Sequence, residues 1–219
     1  MRIRHLLENQ AIHNLSYEER RELLEFVLSW LHGSFMGKHN AKYTNDMWTT
    51  INKLKPPFVN QKTYKLYRLI TIPSVYAEKQ KFKIKPHLNS ISSWALDLKS
   101  LDSVMGIAYD HNQYDETTAR IAISALINTK NILATPESIG EFIRLAMYDF
   151  ESHDGTDDFL NNAFEALDHF QNYGSYYKQN ECIVKLPDKF IEVTNEKIYR
   201  VGDEVYDEGH DDPLSDPNF

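Results

Sequence analysis

Gln179 and Glu181 place an amide and a carboxylate two residues apart, where the short apolar run Cys182-Ile183-Val184-Lys185-Leu186 begins. In an extended chain, residues two apart project to the same side, so the pair is expected to share one face at the start of a strand. A carboxylate held beside a hydrogen-bonding amide, at the rim of an apolar sheet, suits a reaction that develops positive charge. Two other residue types would complete such a site: an arginine to clamp an anion, and a hydroxyl to fix the direction of the carboxylate. Arg68 supplies the first within Tyr64-Lys65-Leu66-Tyr67-Arg68-Leu69-Ile70. Its planar guanidinium makes paired bonds to phosphate and keeps its charge when partly buried. Read alone, Arg68 is an exposed strand arginine; in this company it becomes an anion clamp.

The hydroxyl comes from Asn89-Ser90-Ile91-Ser92-Ser93-Trp94-Ala95-Leu96. These serines either cap or turn the chain before the helical pattern of Leu101, Val104, Met105 and Ala108, or one of them donates to the carboxylate and sets its rotamer. No G-x-S-x-G elbow is present, which leaves a serine hydrolase little support.

The elements around these residues are legible as patterns. Ser16 and Glu19 have capping-box spacing ahead of Leu23, Leu24, Val27, Leu28 and Leu31, a helix closing near Gly33. Met47, Trp48, Ile51 and Leu54 form a second helical face that ends before Pro56-Pro57. Trp30 and Trp48 read first as packing residues on these faces, with the border of a ligand as the alternative for each. Residues 64–70 and 121–127 have strand chemistry, and Pro136-Glu137 opens a helix through Ile139, Phe142, Ile143, Ala146, Met147 and Phe150. A second helix follows over Phe159, Leu160, Ala163, Phe164, Leu167 and Phe170. After the strand at Glu181, strands at 189–193 and 196–201 are expected, with Pro187-Asp188 and Thr194-Asn195 as turns. Lys79, Lys81, Lys83 and Lys85 alternate with Gln80, Phe82, Ile84 and Pro86, as either a solvated edge strand or a cationic face near a ligand.

At 219 residues with a hydrophobic fraction of 42%, the chain can bury a substantial core, which excludes wholesale disorder. No apolar run reaches the length of a membrane span, and no secretory h-region precedes Gln10. Cys182 is the single cysteine, so an internal disulfide framework is excluded and a reducing, cytoplasmic compartment is expected. The net charge of -8 is concentrated in Asp203, Glu204, Asp207, Glu208, Asp211, Asp212 and Asp216, so simple whole-chain charge misleads about local basic surface. We expect one domain over residues 1–201, with 1–57 a mainly helical lobe, and a flexible acidic tail at 202–219. No metal site is expected. There is no H-E-x-x-H helix, His169 beside Asp168 reads as an ordinary helical pair, and Asp154, Asp157 and Asp158 do not complete a calcium loop.

Taken in order, Leu66-Tyr67-Arg68, Ser92-Ser93-Trp94-Ala95 and Gln179-Asn180-Glu181 followed by Cys182-Ile183-Val184-Lys185-Leu186-Pro187 resemble the three motifs of NAD-dependent mono-ADP-ribosyltransferases of the arginine, serine, glutamate class, including phage and bacterial toxin-like enzymes. The resemblance spans about residues 66–193. It implies an α+β fold with an ADP-ribosyltransferase-like mixed β-sheet core and an N-terminal helical lobe. It implies NAD as cosubstrate, with Arg68 on a phosphate, Ser93 or Ser92 orienting Glu181, and Glu181 stabilising the sugar cation as nicotinamide leaves. Trp94, where relatives often carry threonine, either covers the nicotinamide ribose or braces the serine from below. Gln179 in place of a glutamate, with Tyr176 three residues earlier, resembles the target-recognition turn of relatives that modify asparagine or glutamine. The expected acceptor is therefore a host protein amide, with nucleic acid as the other acceptor class, for a monomer acting in the cytoplasm of an infected cell and without a membrane partner. An NAD glycohydrolase with much the same pocket and a noncatalytic protein- or nucleic-acid-binding module are the competing readings.

Overall fold

The computed structural model describes residues 11–31, 41–57, 59–85, 91–101, 117–147 and 180–199. Helices α1 (Tyr17–Leu31) and α2 (Ala41–Leu54) precede β1 (Thr63–Pro73) and the short helix α3 (Ser74–Ala77). Then come β2 (Lys81–Ile84), β3 (Ile91–Ala95), β4 (Thr118–Asn128), a 3-10 turn at Thr129–Asn131 and β5 (Ile132–Ala134). Helix α4 (Pro136–Ala146) precedes β6 (Glu181–Lys185) and β7 (Ile191–Tyr199). The order is that of an α+β chain, with N-terminal helices ahead of one seven-stranded sheet, β2-β7-β4-β1-β3-β6-β5.

Helix starts are set by local chemistry. Ser16 Oγ accepts from the Glu19 amide at 3.2 Å, while the Ser16 amide donates to Glu19 Oε2 at 2.8 Å, a complete capping box that leaves α1 a defined first turn. At α4 the Thr135 amide donates to Ser138 Oγ at 2.8 Å and the Ser138 amide donates back to Thr135 Oγ1 at 3.4 Å, with Pro136 in the first turn. The apolar stripes so aligned bury Leu24, Val27, Trp48, Ile51, Ile139, Phe142 and Ile143 in one core, which also takes Ala134 and Ile183 from the sheet. Ile183 lies two residues beyond Glu181 on β6, so these helices cover the side of the sheet from which the Glu181 side chain projects. A second core, with Leu66, Trp94, Ile121, Ile123, Cys182 and Val184, occupies the opposite side.

Every pairing between the described strands is antiparallel, which corrects the expected mixed sheet. Strand β1 pairs with β4 over its whole length, from Thr63↔Asn128 to Pro73↔Thr118. Its other neighbour, β3, meets it among the described residues only at Tyr67↔Ala95. The sheet is thus two ladders, β2-β7-β4-β1 and β3-β6-β5, joined by one bridging pair.

Two strand assignments differ from the sequence reading. The serine cluster is strand β3, because its alternate residues Ser92 and Trp94 fill the second core, and burial outweighs the turn preference of serine. Thr194-Asn195 is no turn: β7 runs through it, and the ladder with β4 absorbs one extra residue between Ala122↔Lys197 and Ile123↔Asn195. The helix expected at 159–170 and the acidic tail lie outside the described residues, and no helix among the described residues is long and apolar enough to cross a membrane.

Candidate active site

Register partners in a sheet project to the same face, so the pairings define a row across it: Glu181, Ala95, Tyr67, Ser124, Thr194 and Lys81. Glu181 is the first residue of β6 and sits opposite Ala95, one pair from the bridge between the two ladders. Ser93 is two residues before Ala95, hence on the same face, and its hydroxyl donates to Glu181 Oε1. Helix α1 brings the third member. The Trp30 indole donates from Nε1 to Glu181 Oε1 at 2.9 Å and is 3.1 Å from Ser93 Oγ. The ring is held edge-on to Trp48, with centroids 5.5 Å apart, so the aromatic packing between the N-terminal helices fixes the direction of the N–H.

Both donors are neutral, and both use the same oxygen. Among the described residues Oε2 of Glu181 receives no hydrogen bond, and no cation pairs with the carboxylate. Burial therefore pushes the Glu181 carboxyl above the ordinary glutamate range, and the hydrogen bonds from Ser93 and Trp30 only partly oppose it. A buried carboxylate with one oxygen held and one unassigned is poised for something that arrives with positive charge or a hydroxyl.

The remaining sequence candidates divide by face and by position. Ser92 lies on the other side of the pleat and accepts from Trp94 Nε1 at 3.0 Å, so Ser93 is the serine that reaches Glu181. Trp94 is 1% exposed and belongs to the second core, beneath the strand that carries Ser93. Arg68 pairs in register with Ile123, out of phase with Tyr67 and therefore on the side away from Glu181, next to the single bridge between the ladders. Its guanidinium is half-buried and has no hydrogen-bond or ion-pair partner among the described residues, and burial lowers its pKa. Among the described residues the structure brings Glu181, Ser93 and Trp30 into contact, and does not bring Arg68 into contact with them. Gln179 and Tyr176 lie outside the described residues. The intervening Asn180 has φ 41°, in the left-handed region of the backbone.

Trp30 is the member that reads from the sequence as packing first and the border of a ligand second. The only sequence signal for it is its place at the end of an apolar helical face, which any core tryptophan shares. Cys182, next to Glu181, points into the second core, where burial pushes its thiol up to about 12 and leaves it unreactive. Among the described residues no group of three or more metal-ligating side chains is assembled. No protein-family model matches the chain, and neither a curated protein nor a solved structure matches it.

Proposed function

We propose that the chain is a mono-ADP-ribosyltransferase that cleaves the nicotinamide–ribose bond of NAD and passes the ADP-ribosyl group to a macromolecule. The observation that carries this reading is the state of Glu181: buried, without a described cation, directed through Oε1 by Ser93 and Trp30, with Oε2 left for a ligand. As the C1′–N bond breaks, its electron pair leaves with the nicotinamide nitrogen, which becomes neutral, and positive charge spreads over the ribose C1′ and ring oxygen. A carboxylate fixed beside that sugar gains attraction as the charge grows, which lowers the barrier because the interaction strengthens toward the transition state. Glycoside chemistry relies on the same pairing of carboxylate and electron-poor sugar. Oε2 would accept a ribose hydroxyl, and Arg68, lacking a described anionic partner, would receive a phosphate. The acceptor group then bonds to C1′ and loses its proton.

The ordered motifs around Arg68, Ser93 and Glu181 support this reading over a simple binding module, and Gln179 with Tyr176 favours a protein amide as the acceptor. The test is incubation of the purified chain with NAD labelled in its adenylate half and a cell extract, divided into protein-depleted and nucleic-acid-depleted portions. Label retained on a protein, mapped by mass spectrometry to asparagine or glutamine, is the expected result. Free ADP-ribose alone would convert the assignment to NAD hydrolysis, and label only on arginine would remove the amide acceptor.

A further inference from the structure

Glu181 is the first residue of β6, and a strand end frays unless something ties it down. The tie is made by the preceding residue. The Asn180 carbonyl accepts from the Leu96 amide at 3.1 Å, carrying the β3–β6 contact one step past Ala95↔Glu181. Its side-chain amide donates to Asp97 Oδ2 at 2.8 Å and lies 3.3 Å from Ser100 Oγ. Asp97 Oδ1 is engaged separately, accepting from the Ser100 amide at 2.7 Å and from Ser100 Oγ at 2.8 Å. Asp97 therefore completes its local turn with one oxygen alone; the other reaches 83 residues along the chain to hold Asn180. At φ 41° the Asn180 backbone is in the left-handed region, which asparagine tolerates far better than a branched residue and in which the chain changes direction immediately before the carboxylate. Although burial raises the Asp97 carboxyl, the bonds from Asn180 and Ser100 outweigh it and hold the group below the usual range, so the clasp is charge-assisted near neutrality.

We propose that Asn180 is a positioning residue for Glu181: its clasp to Asp97 and Ser100 fixes the left-handed turn from which the carboxylate enters the site. The proposal rests on the reading of Glu181 as the charge-stabilising carboxylate. Asn180 touches neither Ser93 nor Trp30 through any described hydrogen bond, so its influence passes through a single peptide link to the next residue.

Asn180→Gly separates the two properties, because glycine keeps the left-handed backbone accessible while the clasp is lost. Two readouts are taken on the full chain: NAD turnover by nicotinamide release, and the three tryptophan indole N–H resonances by NMR, with Trp30 assigned through Trp30→Phe. The expected result is a displaced Trp30 resonance with Trp48 and Trp94 unmoved, and a kcat reduced by up to about 100-fold with KM for NAD unchanged. Asn180→Asp, which sets two carboxylates against each other, should do the same. The double variant Asn180→Asp/Asp97→Asn, with donor and acceptor exchanged, should restore both readouts. An unmoved Trp30 resonance, an unchanged kcat in Asn180→Gly, or a double variant no better than Asn180→Asp overturns the proposal. If the unmodified chain turns over no NAD while the Trp30 resonance still moves and is rescued, the positioning stands and the nicotinamide-cleavage reading falls.

Discussion

The indole nitrogen of Trp30 lies 2.9 Å from Oε1 of Glu181, a hydrogen bond that joins the N-terminal helices to the sheet across 151 residues of sequence. Ser93 converges on the same oxygen, so two elements of different origin agree on one carboxylate direction. Their agreement leaves Oε2 as the open valence of the site.

Removing the indole donor should therefore change acidity before it changes the fold. Trp30→Phe keeps an aromatic ring against Trp48 and Phe26 but withdraws one of the two bonds that oppose burial. The Glu181 carboxyl then rises further above its ordinary value. Because the ionised form is the one that stabilises a sugar cation, the acidic limb of kcat/KM against pH should move to higher pH. A limb that stays in place would show that Trp30 does not act on Glu181.

The two neighbouring serines should separate stability from chemistry. Ser93→Ala removes the second donor to Glu181 and should lower kcat by up to about 100-fold, the scale of a misplaced catalytic group. Ser92→Ala instead strands Trp94 Nε1 in the second core, costing about 1–3 kcal/mol of stability with kcat retained in the folded fraction. Thermal unfolding and nicotinamide release, measured on both variants, check the contrast; equal kinetic losses would contradict it.

Glu181 is also expected to cost the protein stability near neutrality. Its folded pKa is raised, so its contribution is fully present below the unfolded carboxylate value and is lost as pH rises through the folded pKa. Glu181→Gln removes that titration and should unfold at a higher temperature than the unmodified chain at neutral pH, with the difference shrinking as pH falls toward the ordinary glutamate range. An equal gap at all pH values would place its origin elsewhere.

Arg68 carries a parallel cost on the other side of the sheet. A half-buried guanidinium without a described partner should be replaceable by methionine with no loss of melting temperature, while KM for NAD rises because a phosphate contact is gone. Titration of NAD into Arg68→Met by calorimetry tests this; unchanged affinity would remove Arg68 from the dinucleotide site.

How much of this was readable from the chain depends on the range of the interaction concerned. The capping box of Ser16 and Glu19, the stop at Pro56-Pro57, the Pro136 helix start and the strand at Tyr64–Ile70 rest on neighbours a few residues apart, and each corresponds to an observed element. For Ser92 and Ser93 local preference leaves a cap or turn beside a donor to the carboxylate, and the partner strand β6 decides between them. The bulge that carries β7 through Thr194 and Asn195 likewise depends on its pairing with β4. Trp30 and Asn180 are the least visible: one makes its contact 151 residues away in sequence, the other combines a left-handed backbone angle with a side-chain bond 83 residues away.

The most direct test of the account is nicotinamide release from NAD by the purified chain, measured beside Glu181→Gln under conditions where both are shown to be folded. Release by the unmodified chain is expected, with a fall of about 10²–10³-fold in the variant and NAD binding largely kept. No release by the unmodified chain, or equal release by the two, would contradict it.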